Sequence, residues 1–412
     1  MKNTQTQLRC GLLGAHLSHS FSPDIHAALG NYEYKLFEVA EDALEDFLKA
    51  KSFDALNVTI PYKTTVIPYL DALSPRAARI GAVNTILKLG DGTLLGENTD
   101  YDGLAYALSA HNIAVKGKKV LILGSGGAAR TAALLVEDLD GRAIIISRHG
   151  TDNYENLSKH SDAVLIINAT PVGMYPKNGE SPLSLDTFPL LEGVYDLIYN
   201  PLRTRLLQAA EERGLVAENG LSMLVAQAHR AAELFLDTTL PTARIADITA
   251  TLRARKESIV LIGMPGVGKT TLGKMLADDL GKPFIDLDAE IAKEAGMDIP
   301  TIFEREGEAG FRARESALLA KHTRVGGVVL ATGGGVICRA ENTYHLKENA
   351  RVLFLDAPPQ GLPTAGRPLS LSKTPEALYA ERLPLYHAAA DLTVPVTRDK
   401  AKNLARIKEV LL

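Results

Sequence analysis

Residues 258–271 read SIVLIGMPGVGKTT, an apolar run that passes directly into glycines, a lysine and two threonines. Few folds accommodate that order. A buried strand feeding G-x-x-x-x-G-K-[ST] becomes a parallel strand, a tight loop and a helix, with the loop's backbone N–H groups aimed at an anion. Gly263, Gly268, Lys269 and Thr270 fill the fixed positions, and the helical stretch TLGKMLADDLG follows. At average residue usage the pattern would arise by chance roughly once or twice in a hundred chains of this length, before the flanking strand and helix are counted. The loop is therefore read as a nucleotide site. Gly266, Val267 and Gly268 cradle phosphate with their backbone, Lys269 reaches the β and γ oxygens, and the Thr270 hydroxyl, next to Thr271, ligates Mg2+.

A comparable passage occurs earlier, at 118–130, KKVLILGSGGAAR. Gly124, Gly126 and Ala129 form G-x-G-x-x-A, a different glycine spacing, so the two loops are not an internal duplication. Here a tight turn lets backbone approach a pyrophosphate on a helix beginning near Ala128. The plain alternative is a glycine turn that only packs helix on strand. The next strand, AIIISR at 143–148, ends on Arg148 where an NAD site usually carries an acid. A cation there suits the 2′-phosphate of NADP, and is equally compatible with a solvated surface residue.

The 412 residues exceed one ordinary core, so two or three domains are expected. With 46% hydrophobic and 23% charged residues the chain is too apolar to be disordered. A net charge of −4 and a pI near 6.2 supply no basic field for nucleic acid, so any phosphate site must be local. No apolar stretch approaches the roughly 18 residues of a membrane span, and the N-terminal MKNTQTQ lacks a signal peptide's apolar core. A cytoplasmic location is expected. Cys10 and Cys338 show no metal-ligand spacing and are expected to be reduced and buried.

Short apolar runs alternate with helical patterns nearly throughout. CGLLG (10–14), KLFEV (35–39) and ALNVTI (55–60) read as strands, HAALG (26–30) and ALEDFLKA (43–50) as helix. The rhythm predicts parallel sheets with crossover helices, an α/β fold. Residues 221–236 are apolar at helical spacing and should pack on one of the first two units; 241–257 read as a helix tail plus linker.

Polar clusters interrupt the first part of the chain. Ser20 and Ser22 in SHSFSP either donate hydroxyls to an anion or cap the helix containing His26. Thr59 and Lys63 close the apolar strand of NVTIPYK, a place where lysine is usually a surface charge. Asn98, Thr99 and Asp100 in GENTDYDG fit a helix cap equally well.

Taken in order, SHSFSPDIH, NVTIPYK, GAVNTI, GENTDYDG, GSGGAAR, INATPVGM, YNP and GLSMLVAQA resemble the motifs of shikimate dehydrogenases over residues 8–236. The resemblance implies that Ser20, Ser22, Thr59, Asn84 and Gln227 hold the substrate's carboxylate and hydroxyls, with Tyr199 nearby. It implies Lys63 and Asp100 as the catalytic pair, and an NADP(H) site at Gly124, Ser125, Gly126, Gly127, Ala128, Arg148, Asn168, Thr170 and Met223. A lysine held against an aspartate can place charge and a proton at a developing alkoxide. One departure stands at the 2′-phosphate position, where Ser147, Arg148 and His149 replace the family's usual Asn-Arg-Thr.

Beyond the second glycine loop lie PFIDLD (283–288), GEAGFRARE (307–315), ATGGGV (331–336), GRPLS (366–370) and ERLPLYH (381–387). Asp286 and Asp288, two apart on an expected strand, would share one face, one for Mg2+ and one for an acceptor hydroxyl. A triple glycine is either a turn or a place where backbone approaches a compact ligand. In this order the motifs resemble shikimate kinases. The resemblance implies that Asp288, Arg312, Arg382 and Gly333, Gly334 and Gly335 hold shikimate, that Asp286 serves Mg2+ with Thr270, and that Arg367 closes from a lid onto the transferring phosphate of ATP. The lid segment PPQGLPTAGRP is short and has no arginine before Arg367, which predicts a weaker ATP affinity or a remodelled lid.

Together the resemblances imply a two-domain dehydrogenase followed by a P-loop α/β kinase. The divisions expected are a substrate domain at 1–102, completed by the helix at 221–240, a Rossmann NADP domain at 103–220, a linker at 241–257 and the kinase at 258–412. They imply reduction of 3-dehydroshikimate to shikimate, then phosphorylation of shikimate; the fusion does not establish channelling, and the default expectation is two independent enzymes made in fixed ratio. The alternative is an active dehydrogenase, on shikimate or quinate, joined to a weakened or regulatory nucleotide-binding module. Expected partners are small molecules only, with monomer and homodimer both open.

Overall fold

The computed structural model describes residues 7–17, 20–360 and 374–411. Its contacts separate two compact units, one formed by 1–172, 181–199 and 209–252, the other by 173–180, 200–208 and 253–412.

The first unit contains two sheets. The first has the order β2-β1-β3-β5-β6-β4 and is built from β1 (Arg9–Gly14), β2 (Glu33–Glu38), β3 (Ala55–Val58), β4 (Ala72–Leu73), β5 (Thr85–Lys88) and β6 (Leu94–Glu97). Helices α1 (Ser22–Leu29), α2 (Leu44–Ala50) and α3 (Pro75–Ile80) connect them. Parallel pairing joins β1, β2 and β3, but β5 runs antiparallel to β3 and to β6. The reversal brings Asn84 and Thr85, where β5 begins, beside Asn57 near the end of β3. Leu13, Leu48, Phe53, Leu56 and Ile86 are fully enclosed around this sheet.

After α4 (Asp100–Ala110) comes a wholly parallel sheet, β11-β10-β9-β7-β8, made of β7 (Lys119–Leu123), β8 (Arg142–Ile146), β9 (Leu165–Asn168), β10 (Gly193–Asp196) and β11 (Val216–Asn219). Its helices are α5 (Gly127–Asp138) and α6 (Arg205–Glu212). The chain leaves β7 to one side for β8 and returns to the other for β9, so a crevice opens at the C-terminal end of β7, where the first glycine loop lies.

Helix α7 (Leu221–Leu236) packs along α4, and Gly103 makes this possible. A Cβ there would fall 2.7 Å from the Met223 carbonyl oxygen and 2.8 Å from Gln227 Cβ. The stretch expected as helix tail plus linker is helical over α8 (Ala243–Lys256).

The second unit has one parallel sheet, β13-β14-β12-β15-β16, from β12 (Ser258–Ile262), β13 (Phe284–Asp286), β14 (Val329–Ala331), β15 (Ala350–Asp356) and β16 (Leu392–Pro395). Around it stand α9 (Lys269–Leu280), α10 (Leu287–Ala295), α11 (Ile299–Val325), α12 (Ala340–Lys347), α13 (Pro375–Ala389) and α14 (Lys400–Leu411). Strand β12 is central and entirely buried, as its unbroken apolar run requires of a strand covered on both faces. The segments 173–180 and 200–208 are tied into this unit: the Leu202 N–H donates to Asn349 Oδ1 at 2.8 Å, and Arg203 pairs with Asp391 at 3.0 Å.

Two expectations are corrected. Asp286 and Asp288 do not share a strand face, because β13 ends at Asp286 and Asp288 sits in the first turn of α10; the Asp286 carboxylate takes the N–H groups of Asp288 and Ala289, and that cap ends the strand early. Cys338 is exposed, in a short turn of helix between β14 and α12, whereas Cys10 is buried and burial pushes its thiol up to about 12. No helix among the described residues is long and apolar enough to cross a membrane.

Candidate functional sites

In the first unit a salt bridge stands at the centre of the polar residues. Lys63 Nζ donates to Asp100 Oδ2 at 2.6 Å, with the two side chains 22% and 8% exposed. Lys63 follows the end of β3, and Asp100 opens α4. Asn98, one residue before the Thr99 cap position, takes the Tyr101 N–H on its Oδ1 at 3.2 Å, and the Asp100 carboxylate turns to other partners. The other Asp100 oxygen accepts from Asn84 Nδ2 at 2.9 Å, and the same amide donates to Gln227 Oε1 at 3.3 Å. Asn84, Asp100, Lys63 and Gln227 thus converge, drawn from two strand ends and two helices.

The other expected residues are less uniform. The Ser20 hydroxyl accepts the Ser22 N–H at 3.2 Å, so it serves the start of α1; Ser22 itself is buried. Thr59 is held by its backbone to Leu13, and Tyr199 lies against Phe21 with ring centroids 5.8 Å apart.

The first glycine loop comes to the same place. At Gly124, φ is +112°, and a Cβ would lie 3.0 Å from the Ala169 carbonyl oxygen, so no larger residue fits the turn. Gly126 faces open space within 4 Å, as a backbone cradle for a pyrophosphate must. At Gly127 a Cβ would be 3.0 Å from Ala82 and 3.8 Å from Lys63 Cβ, so the N-terminus of α5 abuts the lysine. Arg130 fixes that approach by donating to the carbonyls of Ile80 and Gly81, each at 2.9 Å. Ser125 and Arg148 are exposed, Ala128 is half-buried in the first turn of α5, and Met223 is packed into the core of the second sheet. Asn168 is fully buried and shapes the crevice by accepting from Thr170 Oγ1 at 2.7 Å and donating to Asp196 Oδ1 at 2.9 Å.

In the second unit the loop after β12 carries Gly268 at φ +102° as the residue before α9. Lys269 is buried and its Nζ donates to the Gly263 and Met264 carbonyls at 2.7 and 3.0 Å. Gly266 and Val267 line the loop, and Thr270 and Thr271 are exposed at its end. Thr270 donates to Asp286 Oδ2 at 2.6 Å while Asp286 Oδ1 caps α10. One hydroxyl and one carboxylate fit Mg2+, which keeps several waters and takes few protein ligands.

The triple glycine is the meeting point of the remaining residues. A Cβ on Gly333 would fall 2.7 Å from Glu315 Oε1 and 2.9 Å from Asp288 Oδ1, one on Gly334 would fall 2.6 Å from Pro265 of the phosphate loop, and one on Gly335 would overlap the Arg312 guanidinium. The Gly334 carbonyl accepts from Arg382 at 3.0 Å and from Tyr386 at 2.5 Å. So Asp288, Arg312 and Arg382 surround a turn that touches the nucleotide loop. Glu315, buried and paired with Arg312 at 2.6 Å, was not foreseen; burial pushes its carboxyl up, against the pull of the guanidinium. Its signal was an acid one helical turn after Arg312. Arg367 and the GRPLS motif lie outside the described residues.

Comparison with known proteins agrees with both halves. The family model "Shikimate dehydrogenase substrate binding domain" matches residues 12–86 and "Shikimate kinase" matches 265–411. The chain is 38% identical over 251 residues to a shikimate dehydrogenase (NADP(+)) of Clostridium beijerinckii, covering 56% of this chain and 92% of that protein. Among solved structures, a chorismate mutase/shikimate 5-dehydrogenase fusion protein of Clostridium acetobutylicum is 36% identical with a TM-score of 0.56, over 60% of this chain and 97% of that one. Shikimate 5-dehydrogenase of Thermus thermophilus, solved with shikimate, is 33% identical with a TM-score of 0.53, over 60% and 99%.

Proposed function

The chain belongs to the shikimate dehydrogenase family in its first part and carries a shikimate kinase domain in its second, and we propose that it performs two successive steps of aromatic amino-acid biosynthesis. The first is NADPH-dependent reduction of 3-dehydroshikimate to shikimate; the second is ATP-dependent phosphorylation of shikimate to shikimate 3-phosphate. The observation that carries this reading is the presence of two convergent sites, each beside its own glycine loop at the C-terminal edge of its own sheet.

In the first site, NADPH supplies the hydride. Lys63 stands where a proton is needed at the developing alkoxide, and Asp100 fixes its ammonium at 2.6 Å. Asn84 and Gln227 offer amide donors and acceptors for ring hydroxyls, with Ser20, Ser22, Thr59 and Tyr199 completing the pocket. Gly124 makes the turn with its own N–H on the Ile146 carbonyl, Ser125 to Ala128 would offer backbone N–H groups to the pyrophosphate with Thr170 and Met223 beside it, and Arg148 would meet the 2′-phosphate from an exposed position.

In the second site, ATP with Mg2+ supplies the phosphoryl group. Asp288 accepts the hydroxyl proton, while Arg312 and Arg382 hold the carboxylate with forked guanidinium groups. Lys269 would turn from two loop carbonyls to phosphate oxygens, Thr270 and Asp286 would hold the metal, and Arg367 would meet the transferring phosphate.

The proposed divisions are a substrate domain at 1–102 with 221–240, an NADP domain at 103–220, a connecting stretch at 241–257 and a kinase domain at 258–412. We assign the enzyme to the cytoplasm, from which NADPH and ATP are drawn. The test is a pair of assays on the purified full chain: NADPH oxidation with 3-dehydroshikimate, and ADP release with shikimate. Both must proceed. Dehydrogenation with no ADP release would instead support a regulatory nucleotide-binding module.

A further inference from the structure

Asn57 and Thr85 are direct cross-strand partners on the antiparallel β3–β5 pair, so their side chains share one face of the sheet. Both are buried, Thr85 completely. Asn57 Nδ2 donates to Thr85 Oγ1 at 3.3 Å, and Thr85 Oγ1 donates to Asn84 Oδ1 at 3.2 Å. At one end of this pair the Tyr34 hydroxyl donates to Asn57 Oδ1 at 2.8 Å; at the other, Asn84 Nδ2 donates to Asp100 Oδ1 at 2.9 Å. In these four bonds the donors run one way, from Tyr34 through Asn57, Thr85 and Asn84 to the carboxylate that holds Lys63, and Thr85 Oγ1 also lies 3.2 Å from Thr99 Oγ1. Hydrogen bonds arranged head to tail polarise one another, and in a buried setting a missing link leaves a polar group unsatisfied.

We propose that Thr85 is a positioning residue for the ketone-reducing site. Its hydroxyl shares with the Thr99 N–H the task of fixing which end of the Asn84 amide faces the site. Asn84 Oδ1 takes the Thr99 N–H at 2.7 Å and the Thr85 hydroxyl, so Nδ2 is presented to Asp100 and Gln227. Thr85 touches none of Lys63, Asp100 or Gln227 in this network, and no proton has to travel along it. Its role is orientation, passed from the sheet interior to an amide that would meet the substrate. The inference rests on the dehydrogenase reading of this site.

The test uses the full chain and compares wild type with Thr85→Val, which keeps shape but removes the hydroxyl, and Thr85→Ser, which restores it. The KM for 3-dehydroshikimate should rise roughly tenfold in the valine variant, the size expected for one buried hydrogen bond, with the KM for NADPH unchanged. Serine should bring the first KM back to within about threefold of wild type. A general loosening of the fold would move both KM values together, and that result overturns the inference. So does a valine variant with wild-type constants, or a serine variant no better than valine. Should the valine variant not fold, Tyr34→Phe cuts the chain of donors at its far end. A smaller rise in the same KM is then required, and wild-type behaviour overturns the inference. Wild-type protein that fails to oxidise NADPH with 3-dehydroshikimate refutes the functional reading itself, before any variant is compared.

Discussion

The two glycine loops begin alike and end in opposite states of readiness. Beside the first, the groups proposed to react or bind substrate hold one another: Lys63 on Asp100 at 2.6 Å, Asp100 on Asn84 at 2.9 Å. Beside the second, the groups proposed to meet ligand are bound to the protein's own atoms, Lys269 to loop carbonyls, Thr270 to Asp286 and Arg312 to Glu315. The difference follows from the chemistry. A hydride acceptor needs a fixed proton donor and little charge rearrangement, whereas phosphoryl transfer brings in a highly charged triphosphate that must replace internal partners.

The largest expected effects separate the halves. Lys63→Ala should lower 3-dehydroshikimate reduction by about 10²–10⁴-fold and leave shikimate phosphorylation untouched; Lys269→Ala should do the reverse. Loss of both activities from either change would break the comparison. Chelation of Mg2+ should be nearly as sharp, since Thr270 and Asp286, the proposed ligands, would supply only part of a coordination shell. ADP release should stop in excess EDTA while NADPH oxidation continues, and a dehydrogenase that also stops would contradict the separation.

A more moderate effect is expected at the triple glycine. Gly335→Ala puts a methyl group into the Arg312 guanidinium, so the kinase KM for shikimate should rise roughly tenfold with the KM for ATP little changed. An equal rise in both would point to a distorted phosphate loop and away from an acceptor pocket.

A further effect concerns stability and not activity. His26 is fully buried beside Tyr32 and Tyr34, and burial depresses its pKa from 6.5 to about 3. Between those values the unfolded chain binds the proton and the folded one does not. Stability conferred by the neutral ring is therefore complete above pH 6.5 and is lost as pH falls toward 3, by about 2 kcal/mol between pH 7 and pH 5. Guanidinium unfolding of the transition that NADP+ shifts should show this slope, and His26→Gln should flatten it. A slope unchanged in the variant would remove His26 from the account.

Much of this was legible in the sequence because both loops are local signals. Strand, glycines and helix lie contiguous, and the helix at Leu221–Leu236 follows directly from its apolar spacing. The relation of Asp286 to Asp288 was misread because one residue of helix cap decides where β13 stops, and periodicity carries no such detail. Thr85 and Tyr34 stayed hidden for another reason. Thr85 gains its place from register across an antiparallel pair and Tyr34 from a hydroxyl that reaches Asn57, and a polar residue at a strand end reads the same whether it anchors an amide or meets water. Glu315 and Tyr386 were likewise silent, since an acid and a tyrosine on helices acquire meaning only from the arginine and the glycine carbonyl they meet.

The central claim is that two reactions act in sequence on one carbon and its oxygen. It is tested most directly by incubating the full chain with 3-dehydroshikimate, ATP, Mg2+ and NADPH deuterated at the transferring position, then locating label and phosphate by mass and NMR. The account predicts shikimate 3-phosphate carrying one deuterium at C3, the carbon that bears the phosphorylated oxygen. Deuterated shikimate left without phosphate, or phosphate on a different hydroxyl, would contradict it.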